Sequence, residues 1–183
     1  MHLSTRQTVL GGLMVAMTAV LGLTGVGFIP VPIPVVGAAT IMHIPVILAA
    51  IFGGPVVGGL AGLVFGLSTL KYVPDPRVVL PARILIGVVA YYVYVAVYQR
   101  LGHGKRTAAG AGGAAAGVLG SLTNTVGTLG LAVLFKWLPL KAAMVAAGAN
   151  GVPELILSGF VTAALMPALL PALAHWEAGK HGG

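Results

Sequence analysis

Cysteine is absent from this chain, which removes disulfides, thiolate metal sites and cysteine nucleophiles together and says nothing about which compartment the loops face. Acidic residues are nearly absent as well, with Asp75, Glu154 and Glu177 as the whole set. A membrane-embedded enzyme would need a nucleophile with its base, a metal cluster or paired carboxylates, and these scattered acids offer no pair. No phosphate-binding P-loop occurs either, so any ATP hydrolysis belongs to a partner. Charged residues make up only 7% of the chain against 58% hydrophobic, and the mean hydropathy is +1.03. Such a chain cannot cover a water-facing surface, and lipid is its main solvent.

What is present fits an all-α integral membrane protein. The 183 residues suit one domain over 1–183, with no linker and no stretch polar enough for a separate soluble unit. Spans of about 20 residues give a single bundle of six transmembrane helices. They are predicted at Gln7 to Phe28, Ala39 to Gly53, Pro55 to Tyr72, Val79 to Leu101, Thr107 to Phe135 and Pro153 to Leu173. Met1 to Phe28 reads as a retained first span rather than a cleaved signal. The second helix is short for a crossing and needs neighbours to bury its ends. Between the helices lie breakers, "IPVPIPVVG", "GGP", "VPDPR" and "GANGVPE", each a stop because proline lacks the N–H and restricts the residue before it. The small residues of "AAGAGGAAAG" let helices approach closely and read as packing surface.

The net charge of +7 is spread over short loops, so it describes membrane topology rather than nucleic-acid binding. With the amino terminus cytoplasmic, Arg6, Arg100, Lys105, Arg106 and Lys180 lie inside, while Lys71, Arg77, Arg83, Lys136 and Lys141 lie outside. The expected location is the cell membrane, multi-pass, with both termini cytoplasmic, a reading supported by the compact "QRLGHGKR" loop. That leaves an outer basic cluster which topology does not explain. Ionisable residues at membrane depth usually face a bundle interior or aqueous cavity. Snorkelling at the lipid interface is the other reading, above all for Arg77, Lys136 and Lys141. Lys71 and Arg83 lie closer to apolar helix and are candidate site residues.

The fifth predicted helix carries the sharpest pattern. In "GSLTNTVGTLG", Ser121, Asn124, Thr125 and Thr128 are spaced by three, four and seven, so they share one helical face while Thr123 points elsewhere. Asn124 lies about 25 Å along a helix entering near Thr107, at the level of the outer loops. Two readings stay open, a polar wall of a cavity or hydrogen bonding between helices. Asn150 and Glu154 in "ANGVPEL" join the candidates, and Glu154 after Pro153 also suits the start of a helix. "ATIMHIPVILAAIFGGP" places His43 about one turn into the second helix with Thr40 three residues earlier on the same face. The imidazole either holds a ligand hydroxyl or amide, or is a neutral ring bonded to a neighbouring helix. No second histidine at i+4 and no adjacent carboxylate accompany it, so no metal site is expected.

The segments "FIPVPIP", "ATIMHIPVILAAIFGGPVVGGLAGLVFGL", "LPARILIG", "LGSLTNTVGTLGL" and "NGVPELIL" together resemble the substrate-binding S component of an energy-coupling factor (ECF) vitamin transporter. The resemblance implies a six-helix, high-affinity binder of a small water-soluble vitamin, without a cofactor and without catalysis. Its pocket would open on the outer side and be closed by the loop after the first helix. Its partners would be membrane lipid, a transmembrane scaffold subunit and two cytoplasmic ATPase subunits, and it would topple in the membrane to release its ligand. The family's Ala-x-x-x-Ala docking pattern on the first helix has its spacing at Gly12 to Ala16, with glycine in place of the first alanine and Gly11 and Ala19 nearby; packing within the bundle is the alternative use of such spacing. Riboflavin binders tend to carry an acid close to where "MHIPVI" stands here. An outer cluster of Lys71, Arg77 and Arg83 favours an anionic ligand, and pantothenate, with a carboxylate, hydroxyls and an amide, suits such a cation together with Asn124, Asn150 and His43. Hydroxymethylpyrimidine is the alternative, read by Glu154 and the two asparagines. A self-sufficient channel or secondary transporter would carry inverted repeats, broken helices or coupling carboxylates at the bilayer midplane, and none of these is expected from this sequence.

Overall fold

Glycine and proline decide where the helices of this chain break. The computed structural model describes residues 5–30, 38–102 and 104–178. Along them run α1 (Thr5–Thr24), β1 (Phe28–Pro30), β2 (Ala38–Thr40), α2 (His43–Thr69), α3 (Pro76–Leu101), α4 (Arg106–Leu134), α5 (Leu140–Ala146), a π-helical turn (Ala147–Gly151) and α6 (Val152–Ala178). Residues 31–37, which hold most of the expected closing loop, lie outside the described residues, as do Lys180 and both chain ends.

Four helical runs are long and apolar enough to cross a membrane, namely His43–Thr69, Pro76–Leu101, Arg106–Leu134 and Leu140–Leu170, with a shorter apolar helix at Thr8–Thr24. The chain is a multi-pass membrane protein. α1 stops at Gly25, whose φ of 80° turns the chain out of the helix, and the Gly27 N–H closes on the Leu21 carbonyl at 3.0 Å. The first helix thus ends at Thr24 rather than Phe28. Phe28 pairs with Thr40 in an antiparallel ladder, so β2 takes the residues expected to begin the second helix. Backbone groups there find partners across the ladder instead of along a helix.

α2 is broken at Gly54, with φ 86° and ψ 177°, a conformation open essentially to glycine alone. The two arms, residues 43–53 and 55–69, fold back on each other. A Cβ on Gly22 of α1 would meet both Ser68 at 2.5 Å and Met42 at 2.8 Å, whereas 26 residues of straight helix would hold those two about 39 Å apart. The first arm is buried along almost its whole length, which is how a segment of about 16 Å tolerates a bilayer core of about 30 Å. The returning arm lies hard against α3. A Cβ on Gly58 would sit 3.1 Å from the Gly87 Cα, and one on Gly62 would strike the Arg83 backbone, so these glycines set the helix spacing.

α4 and α6 form the second seam. Gly113 lies under Met166, and Gly117 under Ser158 and Thr162; Thr162 Oγ1 donates across the seam to the Gly113 carbonyl at 2.7 Å. One expected stop is not a stop. At "GANGVPE" the helix runs from α5 through the π turn into α6 without a gap. Pro153 removes one N–H from the helical ladder, and the wider π turn just before it absorbs that defect.

Candidate functional site

A cavity of about 80 Å³ opens where β2, α3, α4 and the π turn converge. Thr40 reaches it from β2, Arg83 from α3, and Asn124, Thr125 and Thr128 from α4. Asn150 and Glu154 close it from the π turn and the start of α6. The three-and-four spacing on α4 gathers its polar side chains on this wall, while Thr123 turns away and donates to the Leu119 carbonyl at 2.7 Å.

Each wall has a local cause. Arg83 sits where α3 approaches the glycines of α2, 6% exposed, with its guanidinium carbon 4.2 Å from the Phe65 ring centre. A cation held over an aromatic face in a desolvated place is attracted by the ring quadrupole. The π turn swings Asn150 inward, and Gly151 leaves room for Thr125, whose Cγ2 would lie 2.7 Å from a Cβ at that position. Glu154 is held by the chain rather than by a cation. Its Oε1 accepts the Thr40 N–H at 2.6 Å, and Thr40 Oγ1 in turn donates to the Gly27 carbonyl at 3.2 Å. This chain of bonds ties the β1–β2 ladder to α6.

Several cavity groups are buried without a hydrogen-bond partner among the described residues: Arg83 Nε and Nη1, Asn124 Oδ1, Thr128 Oγ1, and both polar atoms of the Asn150 amide. Buried polar groups are ordinarily paired. A cation, two primary amides and a hydroxyl converging on one space suit a small polar molecule bearing an anionic group.

Other candidates lie elsewhere. His43 is the first residue of α2, not one turn inside it. It is wholly buried beside the cavity rather than on its lining; its ring lies against the backbone of Thr40 and Glu154, short of hydrogen-bond geometry at either nitrogen. Ser121 is buried one turn below the lining. Lys71 is turned away, its Nζ donating to the Gly22 carbonyl at 3.0 Å and lying 4.9 Å from the Tyr72 ring centre. Arg77 is 68% exposed and paired with Asp75 at 2.9 Å. Of the expected cationic cluster, Arg83 borders the cavity and the other two do not. Among the described residues no cluster of His, Cys, Asp and Glu is placed to hold a metal.

A family model described as ECF transporter, substrate-specific component, matches residues 6–166. The chain belongs to this family. The match takes in every residue that borders the cavity, and membership makes this a transporter component rather than an enzyme. A curated relative, the pantothenic acid transporter PanT of Lactococcus lactis subsp. cremoris (strain MG1363), is 31% identical over 173 aligned residues, covering 77% of this chain and 81% of the relative.

The small residues singled out on α1 lie away from the cavity lining. Gly12 and Ala16 are exposed and Ala19 half-buried, whereas Gly11 faces inward, where a Cβ would lie 2.7 Å from Val57 Cγ1. Sequence reasoning passed over Leu129, Ala146 and Gly151, which complete the lining. Leu129 adjoins Thr128, and a helix position next to a polar stripe was the available signal. For Ala146 there was none, because α5 was not expected.

Proposed function

We propose that this substrate-specific component binds pantothenate. On this reading the bundle has six membrane-embedded segments, counting the arms of α2 separately, both termini are cytoplasmic, and the cavity lies toward the outer side. The observation that carries it is Arg83, buried on the cavity wall with Nε and Nη1 unpartnered. A guanidinium fork matches a carboxylate, and Asn124, Thr128 and Asn150 would take the hydroxyls and amide. The likeness to a pantothenic acid transporter supports the same ligand. Hydroxymethylpyrimidine is less well served, since Glu154, its expected reader, already accepts the Thr40 N–H.

Uptake would require a scaffold subunit and two ATPase subunits, the chain supplying no ATPase of its own, with Gly12, Ala16 and Ala19 on α1 as the docking face. The test is calorimetric titration of the purified chain in detergent with pantothenate, hydroxymethylpyrimidine, riboflavin and folate, repeated on Asn124→Ala. Tight binding of pantothenate alone, weakened in the variant, is expected. Tight binding of one of the others instead would transfer the assignment to that compound. Uptake into liposomes without partner subunits would defeat the whole reading.

A further inference from the structure

Arg83 and Glu154 border one cavity, and they are only 6% and 8% exposed. They do not touch as an ion pair; among the described residues the ion pair found is Arg77 with Asp75. Their opposite charges therefore balance across the space rather than in contact. The elements packed around Glu154 bring little other charge. α2 contributes His43, which lies against the Glu154 backbone. From β2, α4 and the π turn come Thr40, Asn124, Thr125, Thr128 and Asn150, none of which titrates. Lys71 is engaged at Gly22.

An anionic ligand upsets this balance. Its carboxylate, seated on Arg83, leaves one cation facing two carboxylates in a desolvated pocket, and like charges sharing such a site do not both stay ionised. The Glu154 carboxyl is built to accept a proton without losing its place. One oxygen keeps the Thr40 N–H, and the other becomes an O–H donor. Two amide oxygens on the same lining, of Asn124 and Asn150, lack partners.

We propose that Glu154 takes up a proton when the anionic ligand binds, so that the subunit captures the ligand anion together with one proton. The proton comes from bulk water or buffer and forms an O–H on the Glu154 carboxyl; no bond in the ligand changes. The bound site then carries no more net charge than the empty one. This rests on the reading of the ligand as an anion such as pantothenate.

The test is isothermal titration of the full chain in detergent with pantothenate, from about pH 6 to 9, in buffers of different ionisation enthalpy. An ordinary carboxylic acid is ionised throughout that range, so the ligand itself exchanges no proton. The expected result is uptake of up to one proton within that range, with an affinity that falls by up to about tenfold per pH unit wherever the proton is taken up. In Glu154→Gln, which keeps the acceptor for Thr40, uptake disappears and the affinity becomes independent of pH. Binding with no proton exchange at any pH overturns the proposal and leaves the ligand assignment standing. Uptake that survives Glu154→Gln and is lost in His43→Gln also overturns it, moving the proton to the imidazole. No binding of pantothenate removes the ligand assignment and this proposal together. The buffer series on the unaltered chain measures uptake even where the Gln variant fails to fold.

Discussion

The indole N–H of Trp137 donates to Asp75 Oδ2 at 3.0 Å, joining two turns 62 residues apart in sequence. The same carboxylate caps α3, accepting the Arg77 backbone N–H at 2.9 Å, and takes the Arg77 guanidinium at 2.9 and 3.1 Å. The turn before α3 is thereby fastened to the turn after α4, and these two helices carry Arg83 and Asn124 of the cavity lining.

Asp75 gives the chain an acid-sensitive fastening. The Arg77 hydrogen bond, with help from Trp137 and against the opposing effect of burial, holds its carboxyl well below the ordinary value of 3.8. A carboxylate depressed in the folded state stabilises fully above its unfolded value, and the contribution fades as pH falls below that value. Asp75→Asn is expected to lower the thermal unfolding midpoint in detergent at pH 7, with the gap to the unaltered chain closing below about pH 4. A gap that stays constant on acidification would show that charge is not the cause.

Arg83 should matter as a fork and not only as a charge. Hydrogen bonds to charged groups contribute about 1.5–3 kcal/mol. Arg83→Lys keeps a cation but loses the planar pair of donors, and is expected to weaken pantothenate binding by about ten- to a hundredfold. Arg83→Met, which fills much of the same space, should abolish measurable binding while leaving the unfolding midpoint near its original value. Equal affinities for the Lys variant and the unaltered chain would exclude bidentate recognition.

Gly54 and Gly130 offer a matched pair. A Cβ meets nothing within 4 Å at either position, so neither substitution adds a clash. Gly54 has φ 86° and ψ 177°, whereas Gly130 lies within α4. Gly54→Ala is expected to destabilise by about 1–3 kcal/mol, and Gly130→Ala to stabilise by about 0.5–1 kcal/mol. Thermal unfolding of both variants, side by side, checks the sign of each.

On α1 the two adjacent glycines should behave differently. Gly12 is open, and Gly11 faces Val57. Gly12→Leu is expected to leave ligand affinity intact while reducing recovery of scaffold and ATPase subunits in a pull-down. Gly11→Leu should instead lower the unfolding midpoint by disturbing the contact with α2. Undiminished assembly of the Gly12 variant would move the docking face elsewhere.

Much of this architecture is legible in the chain. The apolar runs, the "GGP" break realised at Gly54 and the polar face from Asn124 to Thr128 follow from composition, from glycine's backbone freedom and from the helical period. The β1–β2 ladder was not legible, because two three-residue strands leave no periodic trace and depend on the chain returning to itself. Nor was the continuous path through Pro153. A proline normally argues for a stop, and only the neighbouring π turn, with α4 packed against it, lets the helix proceed.

By itself the sequence determined the solvent, since so few charges leave no surface for water, and it determined the spacing that puts amides and hydroxyls on one helix face. Which cation would enter the cavity was decided by the tertiary structure. Lys71, Arg77 and Arg83 are close in sequence and alike in charge. Lys71 found a helix-end carbonyl at Gly22, and Arg77 found Asp75. Arg83, carried inward where α3 meets the glycines of α2 and laid over Phe65, kept donor atoms free toward the cavity. The fate of a long cationic side chain is set by what packs beside it, and that is a property of the folded neighbours rather than of the residue.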